Sequence, residues 1–210
     1  MPDRTEALAR LAVTPDRGPG DDARLVAETE AALLAGATGI VFREKSLDDP
    51  AFVRRATALR SVAAARGAWF ILNERLEAAD ALRPDAFWAT FRSPDLGALR
   101  ARLGEAIPIG RSVHGVEEGL GRAREGYDFL VLGPVRATPS KEGLVSPLGW
   151  EAVGELSRAV DVPVVAIGGS LARGRRARAG RGGDRRGLDP RLVSRRAARG
   201  IARTRRGGPP

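Results

Sequence analysis

Short, unbroken apolar runs recur along the first 170 residues, and each is followed by a longer stretch with apolar residues at helical spacing. The runs are LAVT at 11–14, GIVF at 39–42, WFIL at 69–72, AFWA at 86–89, IPIG at 107–110, FLVL at 129–132 and VPVVAI at 162–167. Between them the spacing predicts helices over 22–34, 50–65, 76–82, 95–103, 116–124 and 149–160. Asp21 and Asp22 precede the first of these, and Asp48 and Asp49 stand ahead of Pro50 at the second, as helix starts require. A strand with one wet face alternates apolar and polar residues. These runs do not, so both faces are covered, as in a parallel sheet packed against helices. Seven strand-then-helix units at intervals of roughly 20–35 residues favour a parallel (β/α)8 TIM barrel. A doubly wound sheet is the alternative, but no G-x-G-x-x-G follows the first run to support it.

A chain of 210 residues is near the lower limit for eight such units. It holds no Cys and one His, which excludes disulfides, thiolate nucleophiles and multi-His or Cys-ligated metal sites. No apolar leader follows the start, and no run approaches the ~18 apolar residues of a membrane helix, so a cytoplasmic protein with no membrane partner is expected. Charge is unevenly placed. Of 35 Lys+Arg and 26 Asp+Glu, 14 Arg and two Asp (Asp184 and Asp189) fall after Ser170, so the first 170 residues hold 21 bases against 24 acids. The chain therefore divides into a barrel domain over 1–170 and an Arg/Gly/Ala-rich tail over 171–210. The tail offers no strand-like run where a barrel needs its eighth strand. The eighth unit is read as missing or replaced, which leaves two open sheet edges. An electrostatic nucleic-acid arm, a disordered extension and out-of-frame translation of a GC-rich gene all yield such a composition. The third is preferred because the pattern breaks off abruptly. Nucleic acid is least favoured because no aromatics are interleaved with the charges.

In such barrels the chemistry sits at the C-terminal ends of the strands. The second run ends in Arg43-Glu44-Lys45 and the third in Asn73-Glu74. The fifth ends in Arg111-Ser112-Val113-His114, and the sixth passes through Gly133-Pro134 to Thr138-Pro139-Ser140-Lys141. The seventh ends in Gly168-Gly169. Cations, hydroxyls, an amide and a Gly pair converge on one rim. That mixture suits oxyanions: Lys and Arg supply charge, hydroxyls donate hydrogen bonds, and glycines let backbone N–H groups approach phosphate.

The segments VFREKS, FILNE, IGRSVH, LGPVRATPSKEG and VPVVAIGG together resemble the thiamin phosphate synthase family and its thiazole tautomerase relatives, over about 160 residues in order and spacing. The resemblance implies a (β/α)8 barrel that joins a hydroxymethylpyrimidine pyrophosphate to a thiazole phosphate with Mg²⁺, releasing pyrophosphate. It implies that Arg43, Lys45, Asn73 and Lys141 hold the pyrophosphate. Ser112 would line the pyrimidine and pyrophosphate site, Thr138, Ser140 and Gly169 would hold the thiazole phosphate, and Gly168 beside them would bind substrate. Glu74 stands where the family has a metal-binding Asp. A second acid is expected after the fourth strand, where this chain has Phe91-Arg92-Ser93, with Asp95 the nearest carboxylate. Pro134 stands where the tautomerases carry a His. A tautomerase-like paralogue and a non-catalytic phosphate binder are the alternatives. Phosphorylated small molecules are the expected partners, and a homo-oligomer is left open. Plainer readings exist for single residues: Glu74 as a helix-starting acid, His114 as a supporting residue, and Trp88 and Phe91 as core or rim packing.

Overall fold

The computed structural model describes residues 4–137 and 146–168. Seven strands form one sheet: β1 (Leu11–Val13), β2 (Gly39–Phe42), β3 (Trp69–Asn73), β4 (Ala86–Ala89), β5 (Ile109–Val113), β6 (Phe129–Leu132) and β7 (Val164–Ala166). Each pairs in parallel with its neighbour in the chain, in the order β1 to β7. Parallel pairing forces a crossover after every strand. Helices provide these: α1 (Arg4–Ala7) leads into β1, and α2 (Asp22–Leu34), α3 (Asp49–Ala65), a 3₁₀ turn (Leu76–Ala78) with α4 (Ala79–Leu82), α5 (Leu96–Leu103), α6 (Val116–Glu125) and α7 (Gly149–Ala159) follow the strands. Asp48 and Asp95 cap α3 and α5, accepting from the N–H groups of Ala51 and Ala98 at 2.8 Å.

The pleat explains why these runs are apolar throughout. Ile40, Phe42, Phe70, Leu72, Phe87, Leu130 and Leu132 point outward and join the helices in one core cluster. Val41, Trp69, Ile71, Ala86, Trp88, Phe129 and Val131 point inward and form a second cluster, joined by Leu11 from the first strand and Val165 and Ile167 from the last. The sheet is curled, so its inner face packs against itself. Gly110 shows how tightly: a Cβ there would lie 2.1 Å from the Phe129 ring.

Three differences from the expected elements have physical causes. β5 runs over Ile109–Val113 rather than 107–110. It carries Arg111 outward over the Tyr127 ring, 5.7 Å from its centroid, while Ser112 faces inward, so it does not read as an apolar run. β7 is confined to Val164–Ala166, since Pro163 ahead of it has no N–H to give the ladder. Helix α1 was not anticipated. Its Ala7 and the following Leu8 are buried in the inner cluster, at the end of the sheet where Gly39 and Trp69 begin their strands. Among the described residues, β1 and β7 are each paired on one side only. The eighth unit and the tail over 171–210 lie outside the described residues.

Candidate active site

At the C-terminal ends of the strands lies a cavity of about 370 Å³. Every strand contributes to it: Val13 from β1; Arg43 and Lys45 after β2; Asn73 and Glu74 at the end of β3; Trp88, Thr90 and Phe91 from β4 and beyond. Ser112 and His114, Val131 and Gly133-Pro134, and Ile167-Gly168 come from the last three strands. The structure thus brings together Arg43, Lys45, Asn73, Glu74, Ser112 and Gly168. Asp95 is not among the lining residues; its carboxylate is engaged in capping α5. Thr138, Ser140, Lys141 and Gly169 lie outside the described residues. A second, shallower groove of about 620 Å³ shares Glu74 and holds Arg75, Arg92 and Arg102, but it receives residues from the β3–β4 side alone.

The polar groups of the cavity are tied to one another. The β3–β4 ladder ends with the Trp88 carbonyl accepting from both the Asn73 side-chain amide at 3.0 Å and the Glu74 N–H at 3.2 Å. Glu74 then adopts φ +57, a left-handed conformation uncommon for a residue with a Cβ, and its carboxylate accepts from the Thr90 hydroxyl. The Trp88 indole N–H donates to Ser112 Oγ at 2.8 Å, which leaves the Ser112 proton free to point at a ligand. Gly168 has φ +103, and a Cβ there would lie 2.7 Å from Pro134 Cα. A side chain would therefore push away the 133–136 segment, which is held to β7 by Val135 N–H donating to the Ile167 carbonyl at 2.9 Å.

Among the described residues, neither Arg43 nor Lys45 forms an ion pair. Among the described residues, Glu74 is the single carboxylate on the cavity wall. Two cations, an amide and two hydroxyls against one acid make an electropositive pocket, which attracts anions. No cluster of three His, Cys, Asp or Glu able to hold a metal occurs among the described residues. None of the described helices is long and apolar enough to cross a membrane. His114 is held to α6: its N–H donates to Glu118 Oε2 at 2.8 Å.

Sequence reasoning missed Thr90 as a site residue and the link between Trp88 and Ser112. Thr90 directly follows β4, and only its partner Glu74, from the end of β3, marks it. Trp88 does double duty, as part of the inner cluster and as cavity wall, while Phe91 stands exposed at the mouth.

Proteins of known sequence and structure are similar to this chain over about three quarters of its length or more. A thiamine-phosphate synthase of Chloroflexus aurantiacus is 31% identical over 160 residues, covering 76% of this chain and 74% of that one. That of Roseiflexus castenholzii is 33% identical over 157 residues, covering 75% and 69%. The thiamine phosphate pyrophosphorylase of Pyrococcus furiosus superposes with a TM-score of 0.70 at 26% identity, over 80% of this chain and 78% of that one. A family model described as thiamine monophosphate synthase matches residues 11–178, and by sequence and by fold alike the chain belongs to the thiamine monophosphate synthase family.

Proposed function

We propose that the chain is a cytoplasmic transferase that couples a hydroxymethylpyrimidine pyrophosphate with a thiazole phosphate, built on a (β/α)8 frame whose eighth unit is missing or replaced by the 171–210 tail. The observation that carries this reading is the pair of cations, Arg43 and Lys45, standing without ion-pair partners among the described residues in a cavity they share with Asn73, Ser112 and Glu74. As the bond between the pyrimidine methylene and the pyrophosphate oxygen breaks, negative charge gathers on the departing group. Arg43 and Lys45 bind that charge more tightly as it develops, so they lower the barrier and do not merely hold the substrate. Asn73 and Ser112 orient the pyrophosphate and the ring; Ser112 is itself fixed by Trp88. The thiazole nitrogen then captures the cationic methylene carbon. In this reading Lys141 adds a further cation, and Thr138, Ser140, Gly168 and Gly169 receive the thiazole phosphate.

Mg²⁺ commonly binds through one or two carboxylates together with substrate phosphate oxygens. Glu74, held by Thr90 beside Asn73, fits that role; Asp95, engaged as a helix cap away from the cavity, does not. Bound there, the ion would neutralise part of the pyrophosphate charge.

The test is incubation of the full chain with both substrates and Mg²⁺, with product and pyrophosphate followed by mass spectrometry and a phosphate assay. Equimolar release of thiamine phosphate and pyrophosphate is expected. Binding of the pyrimidine pyrophosphate without turnover would replace this reading with that of a non-catalytic binder.

A further inference from the structure

The backbone that carries Arg43 and Lys45 is hydrogen-bonded from the side away from the cavity. Thr14 follows β1 directly, is buried and does not line the strand-end cavity. Its hydroxyl accepts from the Arg43 N–H at 2.9 Å and donates to the Arg43 carbonyl at 3.3 Å. Its own N–H donates to the Val41 carbonyl at 2.9 Å. One side chain thus satisfies both polar backbone groups of Arg43 at the point where the β1–β2 ladder runs out. Glu44, the residue between the two cations, points away from the cavity with its side chain at 0% exposure. Its carboxylate accepts from Arg55 Nη1 at 2.7 Å and from the Arg17 N–H at 3.3 and 3.4 Å. Arg55, on α3, is as deeply buried and also binds Asp22. Burial pushes the Glu44 carboxyl up, and hydrogen bonding with Asp16 adds to this; the Arg17 N–H and the Arg55 guanidinium oppose both.

We infer that Thr14 and Glu44 are positioning residues for the anion site: from the face opposite the cavity they fix the backbone of residues 43–45, so that both cations stand in the cavity before a ligand arrives. Neither touches the cavity itself. They act by removing conformational freedom that binding would otherwise have to remove. The two side chains do this by different means. Thr14 acts locally on one peptide unit; Glu44 joins the β1 loop, through the Arg17 N–H, to helix α3, through Arg55. The ligand in this inference rests on the pyrophosphate reading above, whereas the fastening itself does not.

The experiment uses the full chain as wild type, Thr14→Val, Thr14→Ser and Glu44→Gln, with three readouts: calorimetric titration with inorganic pyrophosphate in Mg²⁺, thermal unfolding, and hydrogen exchange of the Arg43 amide by NMR. Valine keeps the shape of Thr14 and loses its hydroxyl. Thr14→Val is expected to weaken pyrophosphate about fivefold, the scale of a lost hydrogen bond between neutral groups, and to speed Arg43 exchange. Thr14→Ser is expected to restore both. Glu44→Gln keeps shape and an acceptor but leaves Arg55 without its buried carboxylate, and is expected to weaken binding by a smaller factor. A lowered melting temperature with pyrophosphate affinity and Arg43 exchange unchanged in Thr14→Val would overturn the role of Thr14, as would a Ser variant that restores neither. Unchanged affinity in Glu44→Gln removes Glu44. If the wild type does not bind pyrophosphate, the functional reading fails on its own. Arg43 exchange then decides the fastening: acceleration in Thr14→Val upholds it, and unchanged exchange refutes it.

Discussion

Replacing Gly168 by alanine is expected to damage the protein at the cavity wall. Two costs are set by the structure. The backbone at Gly168 has φ +103, which an L side chain adopts only under strain, costing about 1–3 kcal/mol. The new Cβ would also lie 2.7 Å from Pro134 Cα, 2.8 Å from Pro134 Cβ and 3.2 Å from the Val135 nitrogen. Backbone cannot rotate aside as a flexible side chain can, and such overpacking costs about 1–3 kcal/mol more. Together the loss is about 2–6 kcal/mol against a total stability of about 5–15 kcal/mol. With a urea dependence of about 1–3 kcal/mol per molar, the unfolding midpoint should fall by at least about 0.7 M. Gly121, in α6, is the control: a Cβ there meets nothing within 4 Å, and alanine in a helix interior gains about 0.5–1 kcal/mol over glycine. Equilibrium urea unfolding followed by circular dichroism measures both. A Gly168→Ala midpoint within ~0.3 M of wild type would refute the reasoning, because it would show that the 133–136 segment moves away from β7 at almost no cost.

Other outcomes follow from the same geometry. Trp88→Phe keeps an aromatic ring in the inner cluster but loses the N–H donated to Ser112, so stability should drop by about 0.5–1.5 kcal/mol by urea unfolding; a neutral result would mean that Ser112 finds another donor. Burial holds the Tyr127 hydroxyl above its ordinary value of 10.0, with nearby Arg111 pulling the other way. Because the folded pKa is the higher one, stability should be fully present below pH 10.0 and fall as pH rises past it; Tyr127→Phe should flatten that alkaline decline in thermal scans. Glu74→Gln removes the cavity's one carboxylate among the described residues, so pyrophosphate affinity should become insensitive to EDTA; an EDTA effect equal to that of wild type would exclude Glu74 as a ligand.

Much of the fold was legible because parallel strands buried on both faces leave a strong signature. GIVF, WFIL, AFWA and FLVL read as strands for the same reason that they pack: one half of each run meets helices and the other half meets the opposite strands. β5 was harder to place. Its Arg111 is buried against an aromatic ring and its Ser112 faces the cavity, so two residues that fit their surroundings looked wrong for a strand. Helix α1 is one turn long and left no periodicity to detect. In the site, charged residues at strand ends announced themselves, as Arg43 and Lys45 did. Thr14 and Thr90 did not, because a threonine beside a strand end is ordinary, and only the partner across the sheet or in the next loop gives its hydroxyl a task. Asp95 entered the reading because the family resemblance expects an acid after the fourth strand and Asp95 is the nearest carboxylate; its spacing from Ala98 also matches a helix cap, and its carboxylate accepts that bond.

The one-after-another order of the strands also bears on how the chain assembles as it leaves a ribosome. Each strand's partner is the one made just before it, so pairing can proceed in step with synthesis and never waits for a distant segment. β7 pairs with β6 and stands at the edge of the described sheet. Strands β1 to β6 have all been made before β7 is synthesised. This order places first β1 and the loop carrying Thr14, which set the register on which the next strand's cations depend.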